Sequence, residues 1–311
     1  MNFQQLEYIL AVEKARHFVT AASMCHVTQA TLSMMIRKLE DELGVKIFDR
    51  TKVPVVPTEI GKKIIVQAKV ILAEQDKMRG IIHEEQKEIQ GDLRIGIIPT
   101  LAPYLLPLFL NDFLKSYPKV TLQVNELTTD EITNRLERHD LDVAILAVPL
   151  HHKGLIEQHL FYEEFVLYAP ASDILMKKKY ILPHDIDVNR LWLLEEGHCL
   201  REQVINLCEL KSKERTMHQL DFAAGSIETL RRMVEINQGI TILPSLALKF
   251  MTSSQQKNIR HFKRPAPVRQ IGLVTYRYFV KEKLIGALRD TIMTHIPVEM
   301  KKEMQRAIIE I

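Results

Sequence analysis

The chain has 311 residues, 46% of them hydrophobic, with 42 Lys and Arg against 39 Asp and Glu for a net charge of +3. This excludes a disordered chain and leaves room for two or three globular domains. So even a balance also excludes arguing a nucleic-acid partner from total charge; such an argument has to come from where the charges stand.

The start, Met1-Asn2-Phe3-Gln4-Gln5-Leu6-Glu7, lacks the cationic and apolar regions of a secretory signal, and no apolar run approaches the roughly 18 residues of a membrane span. A cytoplasmic protein with no membrane partner is expected. Three cysteines, Cys25, Cys199 and Cys208, are too few for a disulfide scaffold and should rest as thiols in a reducing cytosol.

Apolar residues at Phe3, Leu6, Ile9, Leu10 and Val12 predict a first helix. A short second helix, Thr20 to Cys25, carries paired alanines suited to a close crossing. Thr28 is a good N-cap for a third helix from about Gln29 to Leu43, which Gly44 ends. Leu32, Ile36, Leu39 and Leu43 make its buried stripe, while Gln29, Thr31, Ser33, Met34 and Arg37 fall toward the other face. Val45–Arg50 and Val53–Thr58 read as a hairpin wing bearing Arg50 and Lys52. Three short helices and a wing form an all-α winged helix-turn-helix that reads DNA.

Residues 59–90 contain no proline and place Ile60, Ile64, Ala68, Ile71, Met78 and Ile82 at helical spacings. A helix this long cannot bury its stripe in a small domain, so a second copy of the chain is the expected partner. From residue 91 the pattern alternates. Strands are predicted at Leu93–Ile98, Val120–Glu126 and Val143–Val148, with helices at Tyr104–Tyr117 and Glu131–Arg138 between them. A second set follows: strands Val166–Ala169 and Trp192–Leu194, helices near Arg201–Cys208 and Ile227–Ile236, and strand Ile240–Leu243. Strand Ile271–Tyr276 and helix Lys281–Ile296 close the unit. This rhythm predicts a parallel, doubly wound α/β sheet.

The stretch Val27-Thr28-Gln29-Ala30-Thr31-Leu32-Ser33, then Ile36-Arg37-Lys38-Leu39-Glu40 and Leu43-Gly44-Val45-Lys46-Ile47-Phe48-Asp49-Arg50, resembles the DNA-binding head of the LysR-type regulators. Gln238-Gly239-Ile240-Thr241-Ile242-Leu243-Pro244 is similar to a late strand of their effector domain. The resemblance implies a head at 1–58, a dimerising linker helix at 59–90 and a two-lobed regulatory domain at 91–311, like a periplasmic binding protein. Lobe I would hold about 91–162 and 268–311, lobe II about 163–267. It also implies operator DNA, RNA polymerase and a homodimer or homotetramer as partners. Gln29, Thr31 and Ser33 are suited to base edges, Arg37 to either bases or phosphate, Met34 lies on the same DNA-facing helix, and Arg50 and Lys52 are expected on phosphate.

Within that family, Glu196-Gly197-His198-Cys199-Leu200-Arg201-Glu202-Gln203, followed by Cys208, is similar to the redox segment of the hydrogen peroxide-sensing members. The similarity implies a reversible disulfide in which Cys199 reacts with peroxide and Cys208 resolves the product. It further implies that Thr100, Thr129, His198 and Arg269 hold the peroxide, with no cofactor and no metal.

The spacing adds a condition. If 199–208 is helical, the two Cα atoms lie about 13 Å apart, against the roughly 4.4–6.8 Å of a disulfide. Bonding the pair would then require refolding. A position near a helix N-terminus, with Arg201 close by, is expected to lower the Cys199 pKa. Taken alone, two cysteines nine apart are more often unrelated buried thiols. A LysR-type regulator answering a small anion, with incidental cysteines, therefore stays open. A thiol peroxidase fits poorly, because a winged helix has no purpose in a scavenger; no enzyme is expected.

Overall fold

A computed structural model describes residues 1–85, 89–208, 224–237, 239–277, 281–301 and 307–309. Two compact units emerge, one built on residues 1–85, the other on 89–277 and 282 onward. Among the described residues no helix is long and apolar enough to cross a membrane.

The first unit opens with α1 (Phe3–Ala15), α2 (Phe18–Met24) and α3 (Gln29–Leu43). Asn2 and Gln5 cap α1 reciprocally, each side chain accepting the other's backbone N–H at 2.9 Å. Thr28 caps α3 by accepting the Thr31 N–H at 3.1 Å, and Gly44, at φ 68, ends it. Strands β1 (Phe48–Asp49) and β2 (Val56–Pro57) pair antiparallel as the wing, and α4 (Glu59–Glu85) follows. Leu6, Ile9, Val12, Ala22, Leu32, Ile36, Leu39 and Ile47 share one core.

Three expectations need correction here. Helix α2 starts at Phe18, whose ring packs edge-on against Phe48. Leu43 is 40% exposed, and Glu40 takes the buried place on α3 instead. Helix α4 does bury apolar surface in its own unit, through Ile65 and Ala68. Gly61 permits that approach, since a Cβ there would stand 2.0 Å from the Ile47 carbonyl oxygen. Gly61, Ile65, Ala68 and Leu72 lie about 100° around the helix from Ile60, Ile71 and Met78. Ile60 and Met78 remain exposed, while Ile64 and Ile71 are half-buried against the unit's own core. The helix thus carries two apolar faces. The Ile82 side chain, residues 86–88 and Gln238 lie outside the described residues.

The second unit contains β3 (Gly91–Ile97), α5 (Ala102–Ser116), β4 (Val120–Glu126), α6 (Thr129–Glu137), β5 (Val143–Val148) and β6 (Leu155–Tyr168). It continues with α7 (Cys199–Leu207), α8 (Ile227–Asn237), β7 (Thr241–Pro244), α9 (Ser253–Gln256), β8 (Ile259–His261) and β9 (Pro267–Tyr276). Helices α10 (Glu282–His295) and α11 (Val298–Lys301) and strand β10 (Ala307–Ile308) complete it.

The sheet runs β4-β3-β5-β9-β6-β7, with β10 beside β9 and β8 beside β6. Strands β4, β3 and β5 are parallel as expected, but β9 is antiparallel to both β5 and β6, so the all-parallel expectation is corrected to a mixed sheet. The result is a mixed α/β domain of two lobes. Strand β6 passes between the lobes: residues 155–164 pair with β9, and 165–168 pair with β7 and β8. The predicted strand Val166–Ala169 catches only the last three residues of β6 and overruns it by one, because a bulge between His159 and Phe161 breaks the alternation and buries both Leu160 and Phe161. The predicted strand Trp192–Leu194 is realised as isolated bridges from Leu191 to Ile240 and from Leu194 to Ala224.

Candidate functional sites

Gly197, at φ 88, turns the chain into α7 so that Cys199 is its first residue. The left-handed value favours glycine. A Cβ at Gly197 would meet Thr128, the N-cap of α6, at 3.6 Å. The N-termini of α6 and α7 therefore converge, and Thr129, first residue of α6, stands by the Cys199 thiol.

Beneath them lies Arg269 on β9. Its Nη1 donates to the Thr100 hydroxyl at 3.0 Å, and its Nη2 to the Thr100 carbonyl at 3.2 Å. Its Nε donates to Glu163 Oε2 at 2.9 Å, and Nη2 stands 2.8 Å from the same oxygen. The other Glu163 oxygen accepts the Leu246 N–H at 2.9 Å. Arg269 and Glu163 are both fully buried.

Burial pushes the Cys199 thiol up from its ordinary pKa. Arg269, the Thr129 hydroxyl and the backbone N–H groups of Leu200 and Ala147 pull it partly back. This corrects the expectation of a lowered value supported by Arg201. Arg201 turns the other way and donates to the Leu194 carbonyl at 2.7 Å, tying α7 to the preceding segment. The Thr129 hydroxyl is buried without a hydrogen bond of ordinary geometry, so its approach to the thiol favours the thiolate without satisfying the hydroxyl.

The structure thus gathers Cys199, Thr129, Arg269 and Thr100. His198 is buried beside them in sequence, with its Nε2 3.7 Å from Glu195 Oε1. Glu163 escaped sequence reading because it sits in the part of β6 that the bulge obscures. Directly opposite Arg269 in the β6–β9 register, it forms a cross-strand pair.

None of the three cysteines is disulfide-bonded. The residues between Cys199 and Cys208 are helical, and both thiols are buried. One turn after Cys199, the fully buried Gln203 donates to the Ile309 carbonyl at 3.1 Å. Ile309 in turn donates to the Val268 carbonyl at 2.9 Å. The C-terminal strand therefore touches both α7 and β9.

In the head, Gln29, Met34 and Arg37 are exposed on α3. Thr31 and Ser33 are half-buried, with the Thr31 hydroxyl 2.9 Å from that of Thr28. Arg50, expected on phosphate, is also engaged within the head. It donates to Ser33 Oγ at 3.1 Å and to Glu40 Oε2 at 3.2 Å, and lies 4.9 Å over the Phe18 ring. Glu40, buried, also accepts the Ile47 and Phe48 N–H groups at 2.8 and 3.2 Å. Arg50 and Glu40 thus anchor the wing, and Ser33 belongs to that anchor. An acid standing four residues after Ile36 on an apolar stripe signals that Glu40 is buried, but not which residue it holds. Lys52 is 68% exposed, 4.0 Å from Asp49.

A winged helix-turn-helix followed by a two-lobed α/β domain defines a class of transcription regulator. Residues 3–62 match the bacterial regulatory helix-turn-helix protein, lysR family, and residues 86–296 match the LysR substrate binding domain. The chain belongs to the LysR family. It is 36% identical over 311 residues to the hydrogen peroxide-inducible genes activator of Dickeya chrysanthemi, covering 97% of this chain and 98% of the relative. Among solved structures, full-length OxyR from Pseudomonas aeruginosa, a cysteine-to-aspartate variant, is 31% identical with a TM-score of 0.80, covering 95% of this chain and 99% of that one. A hydrogen peroxide-bound cysteine-to-serine variant of OxyR from Corynebacterium glutamicum is 25% identical with a TM-score of 0.63, covering 94% and 92%.

Proposed function

We propose that this chain is a cytosolic, hydrogen peroxide-sensing transcription regulator, switched by a reversible Cys199–Cys208 disulfide that refolds part of the regulatory domain. The observation that carries the reading is the unmet hydrogen bonding around the thiol. Thr129 offers a buried hydroxyl that meets no hydrogen bond of ordinary geometry among the described residues, and Arg269, held on Thr100 through Nη1, acts on the same thiol. Thr100 accepts from Arg269 and keeps its own O–H to donate. A small neutral guest with two oxygens, each both donor and acceptor, suits that set.

In the first step the Cys199 thiolate attacks one peroxide oxygen and the O–O bond breaks. The departing oxygen takes the thiol's proton and leaves as water, so sulfur is oxidised to a sulfenic acid and peroxide is reduced. Cys208 then attacks that sulfur, forming the S–S bond and releasing a second water. Peroxide is consumed once per switch, as a signal. The disulfide requires α7 to unwind. Unwinding removes the Gln203 bond to Ile309, so oxidation should also loosen the C-terminal strand.

An anionic effector is less well served. The cation at this site, Arg269, already faces Glu163, so an arriving anion would meet a compensated charge.

The reading extends to operator DNA contacted through α3 and the wing, and to a dimer through the Ile60–Met78 face of α4, with a tetramer and RNA polymerase as further partners. The test is a peptide map and an operator footprint on the same full-length sample, before and after stoichiometric peroxide. A 199–208 crosslink with a shifted footprint is expected, both lost in Cys199→Ser. A shifted footprint without the crosslink would overturn the mechanism and favour the small-ligand reading.

A further inference from the structure

We propose that Glu163 is a positioning residue for the reaction of Cys199 with peroxide: it fixes the Arg269 guanidinium beside the thiol and masks part of its charge. The proposal rests on the reading of Cys199 as the reacting thiol, and extends it to a residue outside the peroxide-contacting set.

The argument begins with register. Glu163 and Arg269 face each other on β6 and β9, near the point where β6 leaves β9 for the second lobe. Both side chains are wholly buried, so neither charge is met by water. A buried carboxylate is tolerated only with close partners. Glu163 has the Arg269 Nε and Nη2 on one oxygen and the Leu246 N–H on the other. Held at both oxygens, it has little freedom to move, and it holds the arginine in turn.

Electrostatics follow. Arg269 is the charge that acts most on the thiol; His198, the preceding residue, turns its ring toward Glu195. A negative charge 2.8 Å from the guanidinium cancels part of its field at the sulfur, because a close pair acts at a distance more weakly than a lone charge. Glu163 therefore secures geometry while restraining reactivity. During the reaction, negative charge grows on the departing oxygen, and a guanidinium held in place favours that charge.

Glu163→Gln keeps the shape of the side chain and removes its charge. Arg269 stays tied to Thr100, so its unmasked charge should lower the thiol titration by about one pH unit. Near neutral pH that gives about tenfold more thiolate, offset by about threefold lower intrinsic nucleophilicity, for a net rate increase of about threefold.

The measurement uses full-length Cys208→Ser protein, which isolates the first step. Thiolate ultraviolet absorbance is followed against pH with a Cys199→Ser blank, alongside stopped-flow rates with hydrogen peroxide. The double variant Glu163→Gln with Arg269→Gln leaves no lone buried charge, and should titrate above the parent, opposite in sign to the single variant. An unchanged or raised titration in the single variant, or a lowered one in the double, overturns the proposal. If Glu163→Gln does not fold, Glu163→Asp draws the charge back by one methylene and should shift the titration the same way by less; no shift there overturns it equally. Failure of Cys199 to react in the unsubstituted protein would instead overturn the peroxide reading itself.

Discussion

In the head, Glu40 is buried under the wing and holds Arg50, whose side chain keeps 31% exposure and lies over Phe18. In the regulatory unit, Glu163 holds Arg269 with both side chains fully buried. The same two residue types thus form a buried-acid pair in each unit, but the arginines face different surroundings. Arg50 has water on one side, so its charge is screened and its main work is mechanical: it joins α3, α2 and the wing. Arg269 has a thiol nearby and no water, so every change in its partner reaches the sulfur through a low-dielectric interior. Burial of the arginine is what turns a structural pair into an electrostatic one.

Making one substitution in both units sharpens this contrast. Arg269→Met leaves Glu163 buried with only the Leu246 N–H, and should cost about 3–5 kcal/mol. Urea unfolding followed by the fluorescence of Trp192, the single tryptophan, would read this loss in the regulatory unit. Arg50→Met leaves Glu40 with two backbone N–H groups and with Lys46 at 3.7 Å, so the cost should fall to about 1–2 kcal/mol. A head-domain melt by circular dichroism measures it. Equal costs would break the comparison.

Salt dependence of DNA binding gives a smaller effect that separates mechanical from electrostatic roles within the head. Lys52, exposed at the wing, should contribute one phosphate contact. Lys52→Met is therefore expected to reduce the slope of log affinity against log salt by about one, with little change in stability. Arg50→Met should weaken binding through a loosened wing while moving that slope less. A larger slope change for Arg50 than for Lys52 would return Arg50 to the phosphate backbone.

These pairs also mark the limit of what the sequence discloses. Period and caps made α1, α3 and the β3–α5–β4–α6–β5 run legible, because Thr28, Gly44 and clean alternation act locally. The redox segment was legible because Gly197, His198, Cys199 and Arg201 lie together in the chain. Neither Glu40–Arg50 nor Glu163–Arg269 was, since each pair depends on strand register or helix face, which join residues far apart. Arg201 misled for the same reason. Nearness in sequence suggested that it charges the thiol, whereas the fold turns it to Leu194 and brings Arg269 from β9. The apolar surface of α4 was read as one stripe because its two faces sit only about 100° apart, and periodicity does not assign neighbouring faces to different partners.

Alkaline stability should show the smallest contrast, between the cysteines of the two units. Cys25 and Cys199 both have pKa values raised by burial; Cys199 is buried, whereas Cys25 is half-buried and is raised further by Glu7. A thiol whose folded pKa lies above its unfolded value, about 8.5, keeps its proton in the native state where the unfolded chain has lost it. That contribution is complete below the unfolded pKa and disappears as pH rises through the folded one. The parent protein should therefore lose stability relative to Cys199→Ser above about pH 8.5, and the two stability curves should run parallel below it. Cys25→Ser should show the same sign with a shallower divergence, because water still reaches that thiol. Urea midpoints across the alkaline range, under reducing conditions, measure both. Glu163→Gln should narrow the Cys199 divergence by drawing the folded pKa down toward the unfolded value. A divergence as large for Cys25 as for Cys199 would mean that burial is not what sets the thiol in the regulatory unit apart.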